Sequence, residues 1–302
     1  MAEAPLHLRA LAWAVRRLPA GRWRVMERAP RRAGSFDARL PRAAGGYRFA
    51  CDLRDLIARE VFYTGAYAPQ ETALLRAVLR PGATFVDVGA NWGYFTLMGA
   101  HLVGAGGRVA ALEPDPRLFA TLAANVAVNG LAQVAALPVA AAEREGRLTL
   151  AGHSEDGGNW GVSSLVAGGD GPRFQVRGRP VDAVLDERGI ERVELLKMDI
   201  EGAEDAALAG MAEGLARGRY RRVLLELHPR LHPRGAALLD DVAAIFARAG
   251  YRGWSVDSSP RATRVAAYAR RVDARALLGP LARSAGDAWP HQLWAAPGVE
   301  PL

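Results

Sequence analysis

The segment Phe85-Val86-Asp87-Val88-Gly89-Ala90-Asn91-Trp92-Gly93-Tyr94-Phe95 joins a hydrophobic strand to a helix through a turn with two glycines. A strand, a glycine-containing turn and a helix in this order begin an open α/β sheet, and the turn exposes backbone N–H groups at the helix N-terminus. We therefore expect a polar or anionic ligand at this turn. The dinucleotide fingerprint needs glycines where Asn91 and Tyr94 stand, so the segment disfavours a nicotinamide cofactor.

Strands and helices are predicted to alternate on both sides of this turn, from about residue 70 onward. The predicted strands are 84–88, 108–112, 134–141, 193–198, 222–227, 251–256 and 291–295. The predicted helices are 70–79, 93–103, 116–129, 203–217 and 238–249. Such alternation is typical of a mostly parallel sheet with helices on both faces.

Composition favours a folded protein in a reducing compartment. Half of the 302 residues are hydrophobic and 24% are charged, which is typical of a globular chain with a large core. Cys51 is the single cysteine, which excludes an internal disulfide and a cysteine-based zinc cluster. No apolar run reaches the roughly 18 residues that cross a bilayer, and the N-terminus lacks the pattern of a secretory signal. We expect a cytoplasmic protein.

The positive charge is concentrated near the N-terminus. The formal net charge is +7, but residues 1–50 hold 11 arginines against 3 acidic residues, so the rest of the chain is close to neutral. Residues 5–29 have the pattern of basic amphipathic helices, and residues 30–46 have that of a linker. We predict an N-terminal segment, residues 1–46, and one α/β domain, residues 47–302. The segment either caps the domain or contacts an anionic membrane surface.

Acidic residues follow two further predicted strands. Glu113 ends the second strand, where such folds place a carboxylate that binds both hydroxyls of a ribose. Lys197, the only lysine, lies two residues before Asp199, which suits a site that requires a compact ammonium group. Asp199 and Glu201 emerge at the sheet edge where open α/β sheets bind ligands. We assign Glu204 a different role, as an acid in the first turn of the next helix.

Together these segments resemble the FkbM family of S-adenosylmethionine (SAM)-dependent methyltransferases. The resemblance covers about residues 63–230 and rests on Gly65-Ala66-Tyr67, the 87–95 turn, Glu113-Pro114, Asn125 with Asn129, and residues 197–204 (KMDIEGAE). It implies an α/β, Rossmann-like class I methyltransferase fold, with a mostly parallel seven-stranded sheet, one reversed strand and helices on both faces. It also implies O-methylation of a hydroxyl on a sugar, glycan or specialised metabolite.

The resemblance also implies how SAM is bound. The first turn would hold the methionine part of SAM through Asp87, Gly89, Asn91, Gly93 and Tyr94. Glu113 and Pro114 would hold the ribose, and Ala142 and Glu143 the adenine. The family usually has Ser-Asp at the last pair, so Ala142-Glu143 departs from the family pattern.

Four side chains after the fourth and fifth strands are candidates for removing the proton of the acceptor hydroxyl: Asp199, Glu201, Glu226 and His228. Glu226 and His228 are two residues apart in an extended segment, so we expect their side chains to share one face. We favour His228 as the base, with Asp199 orienting it and Glu226 beside it. The alternative, a divalent cation held by Asp199 and Glu226, is not favoured, and we assign no metal ligands.

Two rival functions are open. An arginine-rich N-terminus is typical of a nucleic-acid methyltransferase, but base-methylating enzymes commonly have Asn/Asp-Pro-Pro-Tyr/Phe where residues 199–202 are Asp-Ile-Glu-Gly. Because 38 of the 39 basic residues are Arg, we attribute the charge to coding bias and expect no nucleic-acid partner. The other rival is a non-catalytic carbohydrate-binding or scaffold protein that retains the fold. An intact glycine turn and Glu113 disfavour it.

Acceptor recognition is predicted to come from three segments: the N-terminal segment, residues 151–172 and the residues after 256. Residues 151–172 are polar and glycine-rich and exceed an ordinary connection in length, so we expect a mobile loop that closes over the site. Trp160 in this loop is a candidate apolar or sugar-stacking contact.

Overall fold

The structure is a computed structural model that describes residues 2–31, 35–154, 158–160, 163–165, 171–268, 272–281 and 289–302. Its strands are β1 (Phe36–Arg39), β2 (Arg48–Cys51), β3 (Thr84–Val88), β4 (Arg108–Leu112), β5 (Val134–Leu137), β6 (Val139–Ala141), β7 (Gly146–Ala151), β8 (Arg173–Arg179), β9 (Leu195–Met198), β10 (Arg222–Glu226), β11 (Arg252–Val256), β12 (Leu278–Pro280) and β13 (His291–Ala295). Its helices are α1 (Leu6–Arg17), α2 (Arg22–Arg28), α3 (Leu56–Thr64), α4 (Pro69–Val78), α5 (Tyr94–Val103), α6 (Pro116–Val128), α7 (Val181–Asp186), α8 (Glu204–Ala209), α9 (Ala212–Ala216), α10 (Ala237–Arg248) and α11 (Pro260–Tyr268). Among these helices, none combines the length and apolar character of a membrane span.

Eight strands form the central sheet, in the order β12-β11-β13-β10-β9-β3-β4-β5. The strands from β10 to β5 are parallel, and β13 runs antiparallel to both of its neighbours. The predicted α/β class I methyltransferase fold, with a mostly parallel sheet, is thus confirmed. The predicted number of seven strands is too low, because β12 pairs antiparallel with β11 at one edge of the sheet. Its three residues, Leu-Gly-Pro, are too few to form a recognisable strand pattern.

Each face of the sheet has its own hydrophobic core, because side chains along a strand alternate between faces. Phe85 and Leu195 belong to a core shared with α1, α4 and α5. Val86 and Leu196, one residue further along each strand, belong to a second core shared with α7 to α10. Full burial of such a side chain stabilises the fold by about 1.5 to 3 kcal/mol. The two cores hold the ends of the central strands in fixed positions.

The N-terminal segment packs against the α/β domain. Leu8 and Val15 of α1 and Phe36 of β1 are buried in the same core as Phe85. β1 pairs antiparallel with β2, so the predicted boundary between residues 46 and 47 falls inside a β-hairpin. The predicted linker therefore contains a strand. The segment caps the domain, whereas its contact with a membrane surface stays a prediction.

Residues 134–179 differ most from the sequence prediction. The predicted strand 134–141 is split at Pro138 into β5 of the central sheet and β6 of a separate three-stranded sheet with β7 and β8. Proline has no amide N–H, so Pro138 cannot donate a strand hydrogen bond at the point where the predicted strand splits. β7 and β8 pair antiparallel on either side of the predicted loop. Residues 155–157, 161–162 and 166–170 of that loop lie outside the described residues, and its closure stays a prediction.

Candidate active site

The carboxyl ends of β3, β4, β9 and β10 border a cavity of about 270 Å³. Parallel strands place these ends at one edge of the sheet, which explains why residues distant in the sequence meet here. Eight of the twelve predicted site residues line the cavity: Gly89, Asn91, Tyr94, Glu113, Pro114, Asp199, Glu226 and His228. Glu201 and Lys197 line it as well.

The backbone N–H groups of the turn after β3 donate to acceptors within the protein. The N–H groups of Gly89 and Ala90 both donate to the backbone carbonyl that ends β4, at 3.0 Å. The N–H of Asn91 donates to Oε2 of Glu113 at 2.7 Å, and that of Trp92 to the side chain of Asn91 at 2.6 Å. The prediction that these groups face a ligand is wrong for these four residues, because neighbouring acceptors already bind them.

Gly89 lets this turn approach the end of β9. Its φ is +78°, and a Cβ at this position would lie 1.9 Å from the backbone oxygen of Asp199. A side chain here would therefore displace either the turn or Asp199.

We expect Gly89→Ala to lower the free energy of unfolding by roughly 2 to 5 kcal/mol. About 1 to 2 kcal/mol comes from the left-handed backbone and about 1 to 3 kcal/mol from the steric clash. Gly82→Ala is the control, because Gly82 has φ +84° but no atom within 4 Å of its added Cβ. Urea unfolding measures both, and equal losses would contradict the importance of the close approach to Asp199.

Glu113 is a buried carboxylate at the cavity wall, with only 4% of the residue exposed. Its two oxygens accept the N–H groups of Asn91 at 2.7 Å and Asp115 at 2.8 Å. Burial raises the pKa of Glu113 to about 8. Because a carboxylate oxygen can accept two hydrogen bonds, each oxygen retains a lone pair for a ligand hydroxyl. The geometry fits the predicted ribose contact, which stays a prediction.

Asp87 and Lys197 lie opposite each other on β3 and β9. Asp87 is buried outside the cavity lining and accepts a hydrogen bond from Thr96 at 2.6 Å, and burial raises its pKa to about 6. Nζ of Lys197 lies 3.3 Å from Oδ2 of Asp199 and 4.9 Å from the centre of the Phe95 ring. Asp87 thus binds the start of α5 through Thr96, and its predicted contact with SAM stays a prediction.

Three other predicted residues lie outside the cavity lining. Gly93 begins α5 with φ +101°, which the sharp turn requires. Ala142 and Glu143 follow β6, and the side chain of Glu143 is half exposed and pairs with a neighbouring arginine at 2.8 Å. Ala140 and Ala141, two residues earlier, line the cavity in their place. The predicted adenine contact of Ala142 and Glu143 stays a prediction, to which this geometry adds no support.

His228 lies among carboxylates just beyond the end of β10. Its Nδ1 lies 2.7 Å from Oε1 of Glu204. Its Nε2 lies 3.7 Å from Oδ1 of Asp199, 3.6 Å from Oε2 of Glu201 and 3.8 Å from Oε1 of Glu226. We call these five residues the His228 cluster. The four predicted catalytic candidates thus meet at one point, and the predicted shared face of Glu226 and His228 is confirmed.

Glu204 orients His228, a role that the sequence interpretation gave to Asp199. Glu204 is fully buried, and its Oε1 also accepts the N–H of Gly202 at 3.0 Å. Glu204 lies in the first turn of α8 as predicted, and its contact with His228 is an additional role. Tertiary contacts turn the carboxylate inward to the imidazole ring.

Charges inside the His228 cluster shift the pKa values of His228 and Asp199 in the direction opposite to burial. Burial alone would lower the pKa of His228, but the hydrogen bond with Glu204 and the charge of Asp199 raise it to about 9. Burial would raise the pKa of Asp199, whereas Lys197 and His228 lower it below its usual value. Burial raises the pKa of Glu201 to about 8. The His228 ring is therefore protonated at neutral pH in this structure.

A second cavity of about 420 Å³ adjoins the first, and Tyr67, Glu226 and Trp289 line both. Trp23 of α2 lines only the second cavity, as do Ser258 and other residues after position 256. Two of the three segments predicted to recognise the acceptor thus border this cavity.

His291 links the second cavity to Glu226. Its Nε2 lies 2.6 Å from Oε1 of Glu71 and 3.2 Å from Oε2 of Glu226. The sequence interpretation missed Glu71 and His291, because one lies in α4 and the other at the start of β13, far apart in the sequence. Only the fold shows that they meet.

Trp160 does not line either cavity. Its ring stacks on His153 at 5.4 Å between centres, and its backbone N–H donates to Asp55 at 3.2 Å. Its neighbour Asn159 lines the first cavity. The predicted sugar contact of Trp160 therefore stays a prediction, to which this geometry adds no support.

A sequence profile of the FkbM methyltransferase domain matches residues 87–252 of the chain. These residues contain the glycine turn, Glu113 and the complete His228 cluster. The chain belongs to the FkbM methyltransferase family. Membership of this family makes the chain a methyltransferase that uses SAM as its methyl donor.

Two curated relatives are methyltransferases as well. The chain is 31% identical over 218 residues to the 31-O-demethyl-FK506 methyltransferase FkbM of Streptomyces tacrolimicus, which covers 63% of this chain and 80% of the relative. It is 28% identical over 155 residues to the 2-O-methyltransferase NoeI of Sinorhizobium fredii, which covers 47% of this chain and 62% of the relative.

A solved structure of the methyltransferase FkbM from Methylobacillus flagellatus KT is also similar. Its sequence identity is 18% and its TM-score is 0.43, and the match covers 78% of this chain and 52% of that chain. This FkbM-family chain therefore spans about half the length of that solved protein.

Proposed function

We propose that this FkbM-family enzyme transfers the methyl group of SAM to a hydroxyl oxygen of a sugar, glycan or specialised metabolite. One observation carries the proposal: a single cavity extends from the buried carboxylate of Glu113 to the His228 cluster. One end fits a ribose, and the other holds groups that can activate a hydroxyl. The 31-O- and 2-O-methyltransferase names of the relatives support an oxygen acceptor. We further propose a cytoplasmic location and no nucleic-acid partner.

The cavity wall fits SAM in chemical character. Glu113 offers two carboxylate oxygens to the ribose hydroxyls, and Leu118, Ala141 and Leu150 provide apolar surface for an adenine ring. The carboxylates of the His228 cluster suit a ligand with a positive charge. Bound SAM supplies a methyl group that its positively charged sulfur activates.

The chain must align the acceptor oxygen with this methyl group and remove its proton. A C–O bond forms, the C–S bond breaks with its electron pair left on sulfur, and the acceptor proton passes to a group of the His228 cluster. Asp199, Glu226 and His228 are the residues that we propose for this step. His228 must first release its own proton, because its pKa of about 9 leaves it charged at neutral pH.

We place the acceptor in the second cavity, which meets the first at Tyr67, Glu226 and Trp289. Trp23→Ala should then raise the KM for the acceptor roughly 10-fold, which is about 1.4 kcal/mol of lost binding. The kcat and the Kd for SAM should stay unchanged, because Trp23 does not line the first cavity.

Steady-state kinetics and calorimetry test this position. Trp13→Ala is the matched control, since Trp13 is 59% exposed on α1 and lines neither cavity. An equal rise of KM in both variants would contradict the acceptor position, and so would a loss of SAM affinity in Trp23→Ala.

Mass spectrometry of glycans and metabolites tests the function itself. Cells with the enzyme should contain a species heavier by one CH₂ unit, which is absent from cells without the gene and from cells that carry Asp199→Asn. Methylated nucleosides that depend on Asp199 would support the nucleic-acid rival. Identical profiles in all three strains would favour the non-catalytic rival.

A further inference from the structure

We propose that His228, Asp199 and Glu226 bind a divalent cation of the Mn²⁺ type at the acceptor end of the first cavity. The sequence alone disfavoured a cation and offered only Asp199 and Glu226 as ligands. The role of the cation rests on the proposed O-methyl transfer, but its binding can be measured without SAM or acceptor.

The donor atoms of the proposed ligands lie close together. One atom each of Asp199, Glu226 and His228 lie within 4.8 Å of one another. Nε2 of His228 lies 3.6 Å from an oxygen of Glu201 and 3.7 to 3.8 Å from oxygens of the other two carboxylates. Ligand atoms at about 2.0 to 2.2 Å from a shared ion lie no more than about 4.4 Å apart. The separations from Nε2 therefore fit a common ion.

The imidazole ring separates this group from an ordinary acidic patch. His228 is only 2% exposed, and its Nε2 lies 3.7 Å from an oxygen of Asp199 and 3.8 Å from an oxygen of Glu226. These two carboxylate oxygens are too distant for a hydrogen bond but close enough to share an ion with Nε2. A buried ring nitrogen that faces two such carboxylates has the position of a metal ligand.

Glu204 supplies the partner that a metal-binding histidine needs. Metal-ligating imidazoles usually donate their second N–H to a carboxylate or carbonyl, which fixes the tautomer. Nδ1 of His228 lies 2.7 Å from Oε1 of Glu204. A bound cation would take the place of the proton on Nε2. With Nδ1 donating to Glu204, the lone pair of Nε2 would then be directed toward Asp199 and Glu226.

The neighbouring group of Glu71, Glu226 and His291 fits a cation less well. Its donor atoms are also close together, but Nε2 of His291 lies within hydrogen-bond distance of both Glu71 and Glu226. These contacts occupy one oxygen of Glu226 and leave Oε1 toward His228. The first group is therefore the better cation site.

The donor set indicates the type of ion. The two carboxylates suit Mg²⁺, Ca²⁺ or Mn²⁺, while an imidazole ligand favours a transition metal, and Mn²⁺ satisfies both preferences. An ion here would bind the acceptor oxygen and lower the pKa of its hydroxyl, so that His228 need not act as the base. The cation and the acceptor would meet where the two cavities join.

Mn²⁺ titration of the full chain, followed by electron paramagnetic resonance without SAM or acceptor, tests the site. We expect one Mn²⁺ per chain, and at least roughly 10-fold weaker binding in His228→Gln and Glu226→Gln. Glu204→Gln should weaken binding by roughly 10-fold through the orientation of His228. His7→Gln and Glu213→Gln are the controls, because both residues are exposed and lie outside the cluster.

Circular dichroism checks the fold of each variant, and Asp199→Asn replaces any variant that does not fold. No Mn²⁺ binding by the unmutated chain would overturn the site, and so would equal binding by all variants. Methyl transfer that persists in EDTA, with no Mn²⁺ bound, would overturn the role of the cation in catalysis and leave the proposed function intact. Mn²⁺ binding that depends on His228, without any methyl transfer, would support the site and count against the proposed function.

Discussion

Asp199→Asn is expected to lower kcat by roughly 10²- to 10⁴-fold, the range of general acid–base catalysis. Asn has nearly the same shape, so the variant removes the negative charge beside Lys197 and His228 and leaves the close approach of Gly89 unchanged. The loss is expected whether Asp199 acts in proton transfer or binds a cation. The Kd for SAM should change little. Single-turnover kinetics separates the chemical step from binding.

A second acid–histidine pair gives a matched control. Oδ2 of Asp205 lies 3.2 Å from Nε2 of His232, and neither residue lines a cavity. Asp205→Asn and His232→Ala should leave kcat unchanged, whereas His228→Ala should lose activity like Asp199→Asn. Normal rates in both Asp199→Asn and His228→Ala would show that alignment and water exclusion suffice for methyl transfer.

Glu113→Ala should weaken SAM binding by about 1.5 to 3 kcal/mol, because it removes the hydrogen bonds to the ribose. It also leaves the N–H groups of Asn91 and Asp115 without their acceptor. Glu113→Gln is therefore informative, since its side-chain oxygen can replace one of these two acceptors. We expect its affinity to fall between those of the unmutated chain and Glu113→Ala.

Calorimetry with SAM measures these variants. Glu145→Ala serves as the control, because Glu145 is exposed, pairs with Arg177 and lines a different surface. An unchanged SAM affinity in Glu113→Ala would remove the ribose assignment. An equal loss in Glu145→Ala would indicate a general effect of negative charge.

Local sequence patterns predicted the parts of the site that follow directly from strand ends. The glycine turn after β3, Glu113 after β4 and Asp199 after β9 all lie where the periodicity places the carboxyl edge of a parallel sheet. His228 was predicted together with these residues because it lies just beyond the end of β10. The geometry of parallel strands fixes these positions without detailed knowledge of side-chain contacts.

Contacts across the fold were not predictable in the same way. Glu204 has the sequence position of a solvated first-turn acid, and only the contact between α8 and the end of β10 directs it to His228. Glu71 and His291 lie on distant elements, and no local pattern pairs them. β7 and β8 have alternating apolar residues, but the glycines between them led to the prediction of one long loop.

A calorimetric titration of SAM into the full chain tests most directly whether the cavity between Glu113 and His228 binds the methyl donor. We predict saturable binding of one SAM per chain, competition by S-adenosylhomocysteine, and no heat of binding with NAD under the same conditions. A chain that binds NAD in place of SAM, or that binds neither nucleoside ligand, would contradict this assignment of the cavity.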